Sequence, residues 1–162
     1  MTTPLAALLA LALSSAAAAQ AAPPAPKPDT AYQTMQQRGQ TAMGVDQYTS
    51  THVFDDLPNG GRIELQRDSA DAAGVTEIRT HFAKIAMDFK AGDFSSPDFV
   101  HAQTVTGTGV MAAKKAEITY TVKDLPHGAE LIIATNDPAA VTAIHEFLGF
   151  QRHEHHAGGM TH

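Results

Sequence analysis

The sequence predicts an α+β domain in which two ββα units form a four-stranded antiparallel sheet with two long helices on one face, plus a short N-terminal helix. Three observations predict it. A D-L-P turn with its glycine occurs twice, as DLPNGG from Asp56 and DLPHG from Asp124. Each turn is flanked by segments of two-residue apolar alternation, the period of a half-buried strand. Each second strand is followed by a stretch of 18 or more residues with apolar spacing of three and four.

The elements follow in order. Residues 30–43, TAYQTMQQRGQTAM, have helical composition with a glycine at 39 and predict the N-terminal helix. Residues 48–55 and 62–66 predict the first hairpin, and residues 70–90 the first long helix, with Val75, Ile78, Phe82, Ile85 and Phe89 as its apolar stripe. Asp68-Ser69 offers capping chemistry at its start. Residues 92–115 hold Gly, Pro, Ser and Thr with little periodicity and predict a long loop, a feature that in compact domains is functional or disordered. Residues 117–123 and 130–135 predict the second hairpin. Asn136-Asp137-Pro138 caps and opens the second long helix, residues 138–155, with Val141, Ile144 and Leu148 as its stripe. Val75-Thr76-Glu77-Ile78 and Val141-Thr142-Ala143-Ile144 occupy corresponding points of the two helices, as an internal duplication requires. One unit alone is too small to bury its apolar face, so the halves must pair.

Outside the domain, residues 1–21 predict a secretory signal peptide: an apolar run from Leu5 to Leu13, then small residues with A-x-A cleavage options at Ala19 and Ala21. Its start carries no Lys or Arg. Residues 22–29, APPAPKPD, have four prolines and read as a spacer. Residues 30–156 are then a single domain and 157–162 a flexible tail. The expected compartment is the periplasm or the exterior.

The chain has no cysteine, which removes disulfides and thiolate ligands together. Its formal charge is −6 with dispersed Lys and Arg, which argues against nucleic acid as a partner. Nine histidines are the distinguishing content: His52, His81, His101, His127, His145, His153, His155, His156 and His162. Alternation places Ser50, His52 and Phe54 on one strand face, the one expected to meet the helices. His81 flanks the first helical stripe. On the second helix His145 and His155 fall about 40° to either side of Val141. His52, His81 and His145 are therefore the expected core ligands of a metal ion, with His101, Met43 or His155 completing the site. Neutral imidazole with thioether in a thiolate-free exported chain points to copper, Cu(I) or Cu(II), ahead of zinc. His127 sits at a turn tip and is expected to be solvated. The sequence motifs of zincins, nucleophile elbows, phosphate loops and dinucleotide folds are missing, and HEFLG at His145 has no second His in register for HExxH.

Three segments carry a resemblance: RGQTAMGVDQ at Arg38 to Gln47 with T-x-x-H-x-F at Thr49 to Phe54, IRTH at Ile78 to His81, and HEFLGF at His145 to Phe150 with the later Glu-His. The chain resembles a family of small secreted bacterial proteins that open M-G-F-D-Q-x-x-T-x-H-x-F and close H-E-F-L-R-F-Q-x-x-E-H. It departs at Val45 and Gly149, where Phe and Arg are usual. The resemblance implies export and a single domain and supplies no mechanism. Relatives labelled aspartate carbamoyltransferase do not transfer that activity here, since the S-T-R-T carbamoyl-phosphate loop is missing and the length suffices for about one of that enzyme's two domains. The expected function is an exported metal-binding protein that sequesters copper or hands it to a transporter or other periplasmic protein. The alternatives are a ligand- or protein-binding module with pH-sensitive histidines and a metal-dependent hydrolase using Glu146. The mature chain is expected to be a monomer or homodimer without a membrane span.

Overall fold

The computed structural model describes residues 29–159; the signal peptide and most of the spacer expected from the sequence lie outside the described residues. Helix α1, Thr30–Met43, starts where Asp29 accepts hydrogen bonds from the N–H groups of Ala31 and Tyr32, and stops at Gly44, whose φ of 76° suits glycine. Only Met35, Gln36 and Gly39 of this helix are buried. A single 3-10 turn, Gln47–Thr49, leads into strand β1, Ser50–Leu57, which turns through Pro58-Asn59 into β2, Gly60–Arg67.

Helix α2, Ala72–Ala91, is capped by Asp71, which accepts from the Gly74 N–H at 3.0 Å, in place of the expected Asp68-Ser69. Its buried residues are Gly74 and, from the expected stripe, Ile78, Phe82, Ile85 and Phe89 without Val75. The segment expected as a loop instead contains α3, Ser95–His101, and α4, Thr108–Ala113. These helices are too short to show an apolar period. They are held by tertiary burial of Phe94, Val100, Val105 and Met111.

A second 3-10 turn, Lys115–Glu117, precedes β3, Ile118–Leu125, and β4, Gly128–Thr135, joined through Pro126-His127. Helix α5, Pro138–Glu154, begins as anticipated, with the Asp137 carboxylate accepting from the Ala140 N–H at 2.8 Å. Lys114 lies 2.7 Å from the same carboxylate, and the two contacts hold its pKa down to about 2.

The α+β prediction holds: the four strands form one antiparallel sheet in the order β1-β2-β4-β3. Its central register is symmetric. Gly60 faces Ala134, Gly128 faces Gln66, and Ile63 faces Leu131 midway, so an approximate two-fold axis relates the duplicated units. The turn glycines obey the same symmetry. A Cβ on Gly60 would strike the Ile133 carbonyl, and one on Gly128 the Leu65 carbonyl. The Gly128→Ala variant must therefore separate β2 from β4; we expect a loss of about 3 kcal/mol or more, read as a lowered urea midpoint.

Both long helices cover the same sheet face, but each crosses to the other unit's hairpin: α2 lies on β4 and β3, α5 on β2 and β1. This exchange ties the halves into one core, from Leu65 and Ile78 to Leu131, Ile133, Ile144 and Leu148. On the opposite sheet face Arg62 meets Asp55, with Glu64 and Glu130 at 3.4 and 3.5 Å and Lys123 3.3 Å from Glu130. Of the segment expected as a tail, the described part meets the sheet. Gly158 bridges Val53 in parallel, and its carbonyl accepts the Phe54 N–H at 3.0 Å, so residues as far as Gly159 are laid along the β1 edge.

Candidate functional site, a buried histidine pocket

Alternation along β1 turns His52 and Phe54 inward, as the sequence reading required. The helix layer above them leaves a cavity of about 70 Å³, enough for a few waters or a small ligand. His52, His81, His101, His155 and Met43 line it, five of the six expected residues, with an apolar floor that includes Phe54, Leu65 and Phe82. The lining contains no carboxylate.

Four elements supply the imidazoles: β1, α2, α3 and the residue that closes α5. The His52 and His155 rings stack with centroids 5.0 Å apart, and His101 meets His155 edge-on at 5.1 Å. Phe54 lies 5.7 Å from His155 and Phe150 lies 4.9 Å from His101. His101 Nε2 shares a hydrogen bond of 3.0 Å with Gln151 Oε1. Three ring nitrogens are sealed from solvent and unpartnered among the described residues: His52 Nε2, His101 Nδ1 and His155 Nδ1. Each such buried polar atom costs about 1–3 kcal/mol.

Burial favours the neutral rings. Desolvation, with a smaller contribution from His81, pushes the His52 pKa down to about 4. Desolvation also takes His81 down to about 4, against a hydrogen bond to the Ala42 backbone. His155 falls to about 2, first through burial and then through His52, His101 and His156. His101 is lowered by burial despite its bond to Gln151. At neutral pH the imidazoles that line the pocket are uncharged.

His145 is the correction. Its Nε2 lies 2.9 Å from the carbonyl oxygens of both Leu57 and Gly60, so it fastens α5 to the first hairpin turn and does not line the pocket. The reason is helical. His145 and His155 are ten residues apart, about 15 Å along one axis, and cannot serve one centre. The buried side of α5 runs through Ala140, Ile144, Phe147, Leu148 and Gln151 rather than being centred on Val141. In projection His155 stands about 20° from Ile144 and His145 about 100° away. The expected trio of His52, His81 and His145 is therefore not assembled. Among the described residues no three His, Asp or Glu side chains are grouped as a ready-made metal shell.

Glu146 is exposed on α5 and outside the pocket, which leaves the hydrolase reading without its base. Sequence reasoning missed Gln151, which fixes His101, and the Arg152–Asp56 ion pair at 2.9 Å, which also ties Arg152 to the Phe54 carbonyl beside His52. His127, at the second turn, is half-exposed. His162 lies outside the described residues. No helix among the described residues is long and apolar enough to cross a membrane. Compared with protein-family models, curated proteins and solved structures, the chain matches none.

Proposed function

We propose that this is an exported copper-binding protein of the secreted family it resembles, and that the interlayer pocket holds one Cu(I) ion for sequestration or hand-over. The observation that carries the reading is that three histidines lining one cavity with Met43 each have a buried, unpartnered ring nitrogen. An unpartnered buried nitrogen costs stability, and a metal ion is one way to recover it.

The charge of the ion follows from the surroundings. A dication in an apolar pocket without a carboxylate would carry a large desolvation penalty, whereas Cu(I) brings one charge and accepts two or three soft or borderline donors. Neutral rings at neutral pH are already in the ligating state. Binding requires the His52, His101 and His155 rings to turn their free nitrogens toward one point, and the cavity supplies the space. His81 and Met43 are the further donors within the same lining.

The test is anaerobic titration of tag-free protein with Cu(I) competed by bicinchoninate, with thermal melts in Cu(I), Cu(II) and Zn(II). One tightly held Cu(I) is expected. At a free concentration a thousandfold above Kd it adds about 4 kcal/mol of stability. A melt that Cu(I) leaves unmoved, with copper below one equivalent, removes the proposal.

A further inference from the structure

The outer strands β1 and β3 leave the sheet with two unlike edges. Both strands end in a two-residue turn, which makes the flanking residues the first hydrogen-bonded pair. Alternate residues then bond inward, and those between them direct N–H and C=O outward. On β1 the outward groups of Phe54 are taken, the N–H by the Gly158 carbonyl at 3.0 Å and the carbonyl by Arg152 at 2.7 Å. On β3 the outward residues are Ile118, Tyr120, Val122 and Asp124, and no segment among the described residues pairs with them. All eight residues of β3 pair with β4 in unbroken register, so no bulge blunts this edge, and the strand contains no proline. Its one lysine, Lys123, lies 3.3 Å from Glu130 on the open sheet face.

The edge is complementary to itself. Only one antiparallel register engages all four outward residues: Ile118 with Asp124 and Tyr120 with Val122 of a second copy, each reciprocated, with Thr121 facing its counterpart on the two-fold axis. An aromatic then meets a β-branched residue on the helix side. On the other side exposed Lys123 comes opposite Thr119 and diagonal to the second copy's Glu117, also exposed, and symmetry repeats the pair.

The helix layer fits the same arrangement. Because α2 lies over β3 and β4 alike, the two α2 axes would stand two strand spacings apart, about 10 Å, an ordinary helix-packing distance. Arg79 bonds the Leu125 carbonyl and Phe89 meets Tyr120, so residues 86 and 87 are about level with Thr121. In projection Ala83 and Ala86 lie on the same flank as Arg79, opposite His81, and their small side chains leave room for a second helix. Met87, 66% exposed, adjoins them.

We infer that this chain forms a symmetric dimer through β3, in which two four-stranded sheets become one and the long helices of both copies share a face. The dimer is independent of what the histidine pocket holds. Sedimentation equilibrium of tag-free protein is expected to give twice the chain mass. Thr121→Lys, at an exposed position, sets like charges face to face on the axis and is expected to raise the dimer Kd by about a hundredfold or more while the monomer still melts cooperatively. In a chain with no other cysteine, Thr121→Cys is expected to close a disulfide across the axis, since a non-hydrogen-bonded antiparallel pair holds its Cα atoms about 4.5 Å apart. Thr51→Cys, on the covered β1 edge, is expected to stay reduced under the same conditions. A wild-type chain that sediments as a monomer, a Thr121→Lys dimer as tight as wild type, or equal cross-linking from positions 51 and 121 overturns the proposal.

Discussion

Lowering the pH from 7.5 to 5 is expected to cost the metal-free domain several kcal/mol, measured as a urea midpoint that falls by half or more. The sign follows from the direction of the histidine shifts. In the unfolded chain the imidazoles titrate near 6.5; in the folded domain His52 and His81 titrate at about 4 and His155 at about 2. Between these values the unfolded state binds more protons, so stability is complete above about pH 6.5 and declines as the pH falls. Each ring contributes about 1.4 kcal/mol per pH unit in that window. Three rings over 1.5 units give an upper bound of roughly 6 kcal/mol, comparable with the 5–15 kcal/mol that holds an ordinary domain together. Asp137 does not confuse the result, because its lowered pKa costs stability only below the unfolded carboxylate range near pH 4. A midpoint independent of pH between 7.5 and 5 contradicts the buried, neutral cluster. If the proposed copper reading holds, Cu(I), which needs the rings deprotonated, protects against the same acidification.

His155→Phe is expected to separate stability from binding. Phenylalanine keeps the stack on His52 and the contacts with Phe54 and His101, and the adjoining cavity takes its extra volume. The substitution also removes the unpartnered Nδ1. We expect a gain of about 1–2 kcal/mol at pH 7.5, a rise of several degrees in Tm, and a shallower loss of stability with acid. Under the proposed copper reading, Cu(I) affinity should fall steeply in the same variant. A variant that is less stable than wild type at pH 7.5 would mean that His155 is a satisfied core residue. A variant that still binds Cu(I) normally would remove it from the site.

The contrast between His145 and His155 shows how far local pattern reaches. Both stand near the apolar stripe of α5, and angle alone admits both. Axial distance excludes a common centre, and that argument was available from the residue numbers. What local pattern could not supply was the choice between them. His155 lies one residue beyond α5, where the chain turns, and its inward position depends on Phe54, His52 and His101, contributed by segments 54 to 103 residues earlier in sequence.

By itself the sequence determined the α1 bounds, the two hairpins on their D-L-P turns, the existence of the long helices, most of the α2 buried face, the inward direction of His52, and the place of His81 beside the α2 stripe. These depend on periods of two and 3.6 and on capping chemistry, which act within a few residues. Only the tertiary structure decided that the long helices exchange hairpins, that residues 92–115 fold into α3 and α4, that Gly158 closes the β1 edge, and that His101 and His155 enter the pocket while His145 leaves it. Those outcomes come from burial and hydrogen bonding between segments distant in the chain, where the gain from a contact depends on what the rest of the fold brings to it.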